Sequence, residues 1–331
     1  MKRQQLLNDW LKSLYPNQAF TLAPASADAS FRRYFRATFA NHSLIMMDAP
    51  PEHENCRPFI HIAQLFGDAG VNTPKIIAQD LQQGFLLLSD LGNITYLQAL
   101  NTDSARQLYA DACHALIKIQ LASKEGILPN YDETLLLREM RLFPEWYIAK
   151  HLKVTLSEKQ QAKLDEVFQR IIQNNLAQPR VYVHRDYHSR NLMVTLPNPG
   201  ILDFQDAVYG PITYDLVSLF KDAYIGWREA DLLDWLIRHW ENARAAGLPV
   251  HQDFGEFYRD YEWMGVQRHL KVLGIFARLY HRDGKEGYLK DMPLVMNYLR
   301  RACERYIDLK PLLNLLDELE PQTGQQVGYT F

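Results

Sequence analysis

Long apolar runs are missing from this chain of 331 residues. Nowhere do about 18 apolar residues follow one another, the minimum for a membrane-spanning helix, so no membrane partner is expected. The opening MKRQQLLNDWLKSLYP starts basic, but polar residues interrupt its leucines, and the continuous apolar region of an export signal is absent. Cysteine is scarce. Cys56, Cys113 and Cys303 are odd in number, far apart and without a CxxC pair, which argues against a disulfide framework and a thiolate zinc site. Buried thiols in a reducing compartment, the cytoplasm, are expected. A charge of one sign is lacking too: 36 Lys and Arg face 39 Asp and Glu, so no field gathers a polyanion and nucleic acid is not an expected partner. Internal repeats and low-complexity segments are absent, and no obligate protein partner is evident.

What is present is an ordinary folded chain, 47% hydrophobic and 23% charged. Its length exceeds what one core usually serves, so two lobes are expected. Leu6, Leu7, Trp10, Leu11 and Leu14 recur at helical spacing before Pro16 and open the chain with an amphipathic helix. FTLAPAS, FRRYFRATF and SLIMMDAP follow as short antiparallel strands, then a helix over about 55–69, then the strands KIIAQD and GFLLLSDLG. Beyond Gly92 nearly everything has helical periodicity, with stretches near 103–122, 134–151 and 157–176. The expected fold is α+β and bilobal: a small antiparallel β-rich lobe over 1–91 that binds nucleotide, and a larger, mostly helical lobe over 92–331 for catalysis and substrate.

One β-rich island interrupts the helical part, VYVHRDYHSRNLMVTLPNPGILDFQDA, with two apolar runs flanking the turn Pro197-Asn198-Pro199-Gly200. Within it, His184-Arg185-Asp186 and Asn191 fit H-x-D-x-x-x-x-N, and Asp203 lies across the expected hairpin. Phosphoryl transfer needs a carboxylate to orient and accept the proton of the attacking hydroxyl, and oxygen ligands for Mg²⁺. A hairpin here returns Asp203 beside Asn191, one hard oxygen ligand from each strand end. A lone Asp or Asn in a loop is usually a turn former; four positions in register favour a kinase. His184 reads as structural support of the loop rather than a catalytic group.

VHRDYHSRNLMV and ILDFQDAVYGPITYDLVSL resemble the two signature blocks of the aminoglycoside phosphotransferase superfamily, which has the protein-kinase-like fold. SFRRYFR, IMMDAPP, LLLSDLG and WMGVQRHLKVLGIFARL resemble, more narrowly, anomeric amino-sugar kinases of peptidoglycan recycling. The resemblance implies ATP and Mg²⁺ as cofactors and a small-molecule amino sugar as substrate, phosphorylated at C1 of N-acetylmuramic acid and N-acetylglucosamine. It implies that Asp186 is the base, that Asn191 and Asp203 are Mg²⁺ ligands, and that Asp215 braces the catalytic loop through backbone N–H groups. Asp206 also fits the second block. Other kinases of the superfamily, acting on an aminoglycoside, an amino alcohol or another sugar, stay open, as does a non-catalytic nucleotide-binding scaffold.

The sequence departs from protein kinases on the phosphate side, where both G-x-G-x-x-G and the lysine of the third strand are absent. Small residues from Ala23 to Ser30 permit close approach of backbone to phosphates, or form a plain turn. Met46-Met47-Asp48 stands where the lysine is expected, which makes Arg32 and Arg33 the nearest replacement cations, with at most one of them on the nucleotide face of the strand. In a kinase-like fold Ser89, Asp90 and Leu91, at the expected lobe boundary, would offer backbone groups to adenine; the alternative is a plain strand end before a glycine turn. For the acceptor, His188 and Arg190 lie in the catalytic loop; Trp263 and Gln267 share a helix face, with Arg268 adjacent.

Overall fold

The structure, a computed structural model, describes residues 2–26 and 31–320. In chain order it contains α1 (Lys2–Leu14), β1 (Thr21–Ser26), β2 (Arg33–Thr38), β3 (Ser43–Asp48), α2 (Cys56–Asp68), β4 (Ile76–Asp80), β5 (Phe85–Ser89), α3 (Tyr96–Ala99), α4 (Ala105–Leu121) and α5 (Glu133–Met140). A π-type helix, Phe143–Leu152, follows; then come α6 (Glu158–Ala177), β6 (Arg180–Val183), β7 (Leu192–Met193), β8 (Gly200–Ile201), β9 (Val208–Pro211), α7 (Tyr214–Phe220), α8 (Glu229–Ala245), α9 (Phe254–Asp283), α10 (Met292–Arg305) and α11 (Lys310–Leu319).

The chain divides into two compact units. One gathers the described residues up to Ala122 with Ser189–Ala207; the other gathers Ser123–His188 with the described residues from Val208 onward. This differs from the division at residues 91 and 92 expected from the sequence. The reason is hydrogen bonding by the β7–β8 hairpin: Ile201 N–H donates to Asn72 O at 2.8 Å and Val194 N–H to Ile94 O at 2.8 Å. The Asn198 amide adds bonds to Asp111 at 2.7 Å and Tyr96 at 2.9 Å, tying α3 and α4 to the first unit.

In the first unit the five strands form one antiparallel sheet in the order β1-β2-β3-β5-β4. β5 has neighbours on both sides and is buried from Phe85 to Leu88, as its unbroken apolar run requires. Leu7 and Leu11, one helical turn apart on α1, pack with Phe35, Ala37, Leu44, Met46, Phe85 and Leu87. Gly84 sits at φ +73° where a Cβ would lie 1.9 Å from Ala49 O, so only glycine closes the β4–β5 turn.

The second unit is built around α9, whose residues are buried from Asp260 to Gly274. A helix buried on every side belongs at the centre of a helical layer, and α5, α6, α7, α10 and the π-type helix pack around it. The single helix expected over 134–151 is broken at Arg141–Leu142. Pro144 lies in the first turn of the π-type segment, where its missing N–H costs nothing. Gly274 of α9 lets the chain pass there: a Cβ on it would stand 2.4 Å from the Leu142 carbonyl carbon. Among the described residues, no helix is long and apolar enough to cross a membrane.

Candidate functional site

In the first unit, the β7–β8 hairpin gathers side-chain oxygens. Leu192 and Met193 pair with Ile201 and Gly200, and Leu202 N–H donates to Asn191 O at 2.9 Å. This ladder brings Asp203 back to Asn191, whose Nδ2 lies 3.3 Å from Asp203 Oδ2. Asp203 has φ +62°, a left-handed conformation that turns its carboxylate out of the strand direction. The next residue, Phe204, is fully buried with its ring 4.9 Å from Phe59 and 6.1 Å from Phe66 on α2, which anchors the turn. Gln205 donates to Asp203 Oδ1 at 2.8 Å, and among the described residues its own buried Oε1 has no hydrogen-bond partner.

A magnesium ion fits this donor set. Mg²⁺ prefers hard oxygens and keeps several waters, so one or two protein side chains plus substrate phosphates suffice. The side-chain oxygens of Asn191 and Asp203 are of that kind, with the unsatisfied Gln205 oxygen alongside. No cluster of three or more His, Cys, Asp or Glu residues suited to a metal occurs among the described residues, and this coordination mode does not require one.

The nucleotide-side residues are more engaged than the sequence suggests. Arg33 pairs with Asp48, the residue beside the position of the missing lysine, and Arg3 of α1 holds the same carboxylate at 2.6 Å. Arg32 pairs with Glu54 at 3.0 Å, so the two arginines diverge to different acids. Asp90 accepts two bonds from Arg36, at 2.6 and 3.1 Å, and one from Ser43 at 2.7 Å. Burial opposes its ionisation, but these donors win and hold its carboxyl below the usual range. Ser89 Oγ accepts from Lys75 N–H at 2.8 Å, and Leu91 follows, half-buried. Ser30 lies outside the described residues.

In the second unit, the loop that leaves β6 carries Asp186, the residue expected to be the base. Asp215, fully buried in the first turn of α7, accepts from the backbone N–H of His184 at 2.7 Å and of Arg185 at 3.0 Å. Desolvation outweighs these bonds and pushes its carboxyl up to about 7. The buried His184 ring accepts the Asp186 N–H through Nδ1 at 3.2 Å. Arg185 has φ +77°, uncommon for so large a residue, and its guanidinium bonds Glu139 of α5 at 2.5 Å.

Glu139 is the centre of a buried charge cluster. Lys271 of α9 reaches it at 3.0 Å, Gln267 at 3.2 Å, and the Tyr131 hydroxyl also donates to it. Burial would raise its pKa, yet the two cations bring it down to about 2. Asp186 is 41% exposed at its side chain, open to a reactant. Desolvation opposes its ionisation, but Lys271 and Arg268 hold its carboxyl well below the usual range. The loop therefore presents an ionised carboxylate with fixed backbone.

The acceptor-side residues divide. His188 N–H donates to Asp186 O at 3.0 Å and its ring meets Tyr224 edge-on at 5.4 Å, while Arg190 is exposed. Trp263 and Gln267 correct the expectation: the first is 3% exposed against Tyr306 and Arg259, and the second is fully enclosed by Glu139 and Tyr131. Because α9 is buried all round, their common face is a core face. Glu139 belongs to no motif, yet it sits three residues after Leu136 and one before Met140, both fully buried, so a charge falls on an apolar stripe.

A sheet of this order, followed by a loop opening on His-Arg-Asp and a hairpin that returns Asp to Asn, defines a protein-kinase-like phosphotransferase fold. The phosphotransferase enzyme family matches residues 21–254, and the chain belongs to that family. It is 51% identical over 336 residues to the N-acetylmuramate/N-acetylglucosamine kinase of Neisseria meningitidis serogroup B, covering 100% of both chains. It is 51% identical to the protein of the same name from Pseudomonas putida, over 97% of each. Among solved structures, a choline kinase from Streptococcus pneumoniae matches with a TM-score of 0.64 at 14% identity, over 94% of this chain and 99% of that one. An ADP-bound aminoglycoside phosphotransferase matches with a TM-score of 0.53 at 13% identity, over 88% and 96%. At such identities these structures speak to fold alone.

Proposed function

We propose that this chain transfers the γ-phosphoryl group of ATP to the C1 hydroxyl of N-acetylmuramic acid and N-acetylglucosamine. The observation that carries the reading is identity of 51% along the whole chain to a protein named for these two sugars. Asp186 orients the attacking hydroxyl and takes its proton as the bond to phosphorus forms. Its low proton affinity suits a loose phosphoryl transfer, where positioning outweighs early deprotonation. Asn191 and Asp203 would hold Mg²⁺, whose charge would offset that of the phosphates. Asp215 and His184 brace the loop that carries Asp186.

In this reading Arg32 and Arg33 are the cations to test at the phosphates, and Ser89 to Leu91 supply backbone groups to adenine. His188 and Arg190 face the acceptor. Three buried free cysteines are in keeping with a reducing compartment, the cytoplasm. The purified chain, incubated with MgATP and each amino sugar, is expected to release ADP in step with sugar consumption. Release with neither sugar, alongside release with another acceptor, would replace the substrate while keeping the kinase.

A further inference from the structure

We infer that Arg268 is a positioning residue of the catalytic loop, one guanidinium that fixes the peptide plane ahead of Asp186 and faces the carboxylate that plane carries. This rests on Asp186 being the base proposed above. The Arg185–Asp186 peptide is gripped on both edges: its N–H by His184 Nδ1 at 3.2 Å and its C=O by Arg268 Nη1 at 3.0 Å. Arg185 itself is left-handed at φ +77°, so this plane lacks the support of regular structure and depends on such outside contacts. Ser218 Oγ approaches the same carbonyl only at 3.5 Å.

Arg268 can serve as a fixed point because its own place is determined. It projects from the buried centre of α9, 7% exposed at its side chain. The Tyr214 hydroxyl accepts from Nη1 at 3.3 Å, and the guanidinium lies 5.5 Å from the Tyr214 ring centre. From there Nη1 stands 3.9 Å from Asp186 Oδ1. That distance is an ion pair beyond hydrogen-bond reach, so Arg268 acts on the carboxylate through its charge. Lys271, one turn on, adds its charge to Asp186 but makes its hydrogen bonds elsewhere, to Glu139 at 3.0 Å and the Tyr214 hydroxyl at 3.0 Å.

A positioning role and a substrate-binding role for Arg268 differ in what they do to two acceptors. N-acetylmuramic acid carries a lactyl carboxylate that an arginine can bind, and N-acetylglucosamine lacks it. If Arg268 positions the base, Arg268→Gln lowers kcat by about 100-fold for both sugars, with each KM within about threefold of wild type. Arg268→Lys, which keeps the charge and one donor, recovers about tenfold of that loss. A kcat within about twofold of wild type, or a loss confined to N-acetylmuramic acid, would overturn the inference. Should Arg268→Gln fail to fold, Arg268→Lys decides alone: about a tenfold lower kcat for both sugars supports it, and an unchanged kcat refutes it. Wild-type turnover of the two sugars, measured alongside, separates failure of the substrate reading from failure of this one.

Discussion

The oxygen-rich group of the first unit, Asn191 with Asp203, and the loop of the second unit that carries Asp186, the proposed base, are built on opposite plans. In the first unit, a short hairpin brings Asn191 and Asp203 together, and Phe59, Asn72 and Ile94 anchor that hairpin through Phe204, Ile201 and Val194 rather than through the pair. In the second, Asp186 depends on Glu139, Asp215, Arg268 and Lys271, drawn from α5, α7 and α9. A local hairpin can place a metal donor because a cation adapts through water and phosphate ligands. A carboxylate that must orient a hydroxyl has no such latitude, and several distant elements fix it.

That contrast predicts unequal responses to mutation. The largest is expected at the proposed base: Asp186→Asn lowers kcat on the order of 1,000-fold, read as ADP release, while the melting temperature stays near wild type. A high rate in this variant removes Asp186 from the mechanism. Next comes Glu139→Gln, which leaves Arg185 and Lys271 buried beside one another without their counter-charge. Stability should fall by roughly 3 to 5 kcal/mol in urea unfolding. Asn191→Ala should leave stability within about 1 kcal/mol, because its contacts are local and partly solvated, while raising the Mg²⁺ concentration needed for half-maximal rate.

Gly274→Ala tests the helical frame that supports the base. With a Cβ 2.4 Å from backbone at Leu142, it should cost roughly 1 to 3 kcal/mol, read from thermal unfolding. The remaining predictions concern pH. Glu139, lowered from 4.5 to about 2, contributes stability that is present above pH 4.5 and lost as pH falls through about 2. Asp215, raised from 3.8 to about 7, acts in the other sense: the folded state binds the extra proton, so stability declines as pH rises between those values. Asp215→Asn should abolish that decline.

The same contrast explains what could be read from the sequence. The five strands, α2 and the hairpin follow alternation, turn residues and apolar runs, all short-range signals, and the pairing of Asn191 with Asp203 came with the hairpin. Glu139 lies 46 residues before its partner Arg185, and no local pattern announces such a pair. Trp263 and Gln267 misled because helical spacing tells which residues share a face but not whether that face meets solvent or other helices. The division into compact units differs from the one expected near residue 91 for a related cause. Asn72, Ile94 and Tyr96 bind a hairpin a hundred or more residues away in sequence, which moves the 92–122 helices into the first unit.

The central claim, an ionised Asp186 serving phosphoryl transfer to a sugar C1 hydroxyl, meets its most direct test in the product. Phosphorus NMR of N-acetylmuramic acid incubated with MgATP and the purified chain should show a sugar 1-phosphate, with no such signal from Asp186→Asn. Phosphate at another carbon, or a 1-phosphate formed equally well without the Asp186 carboxylate, would contradict the account.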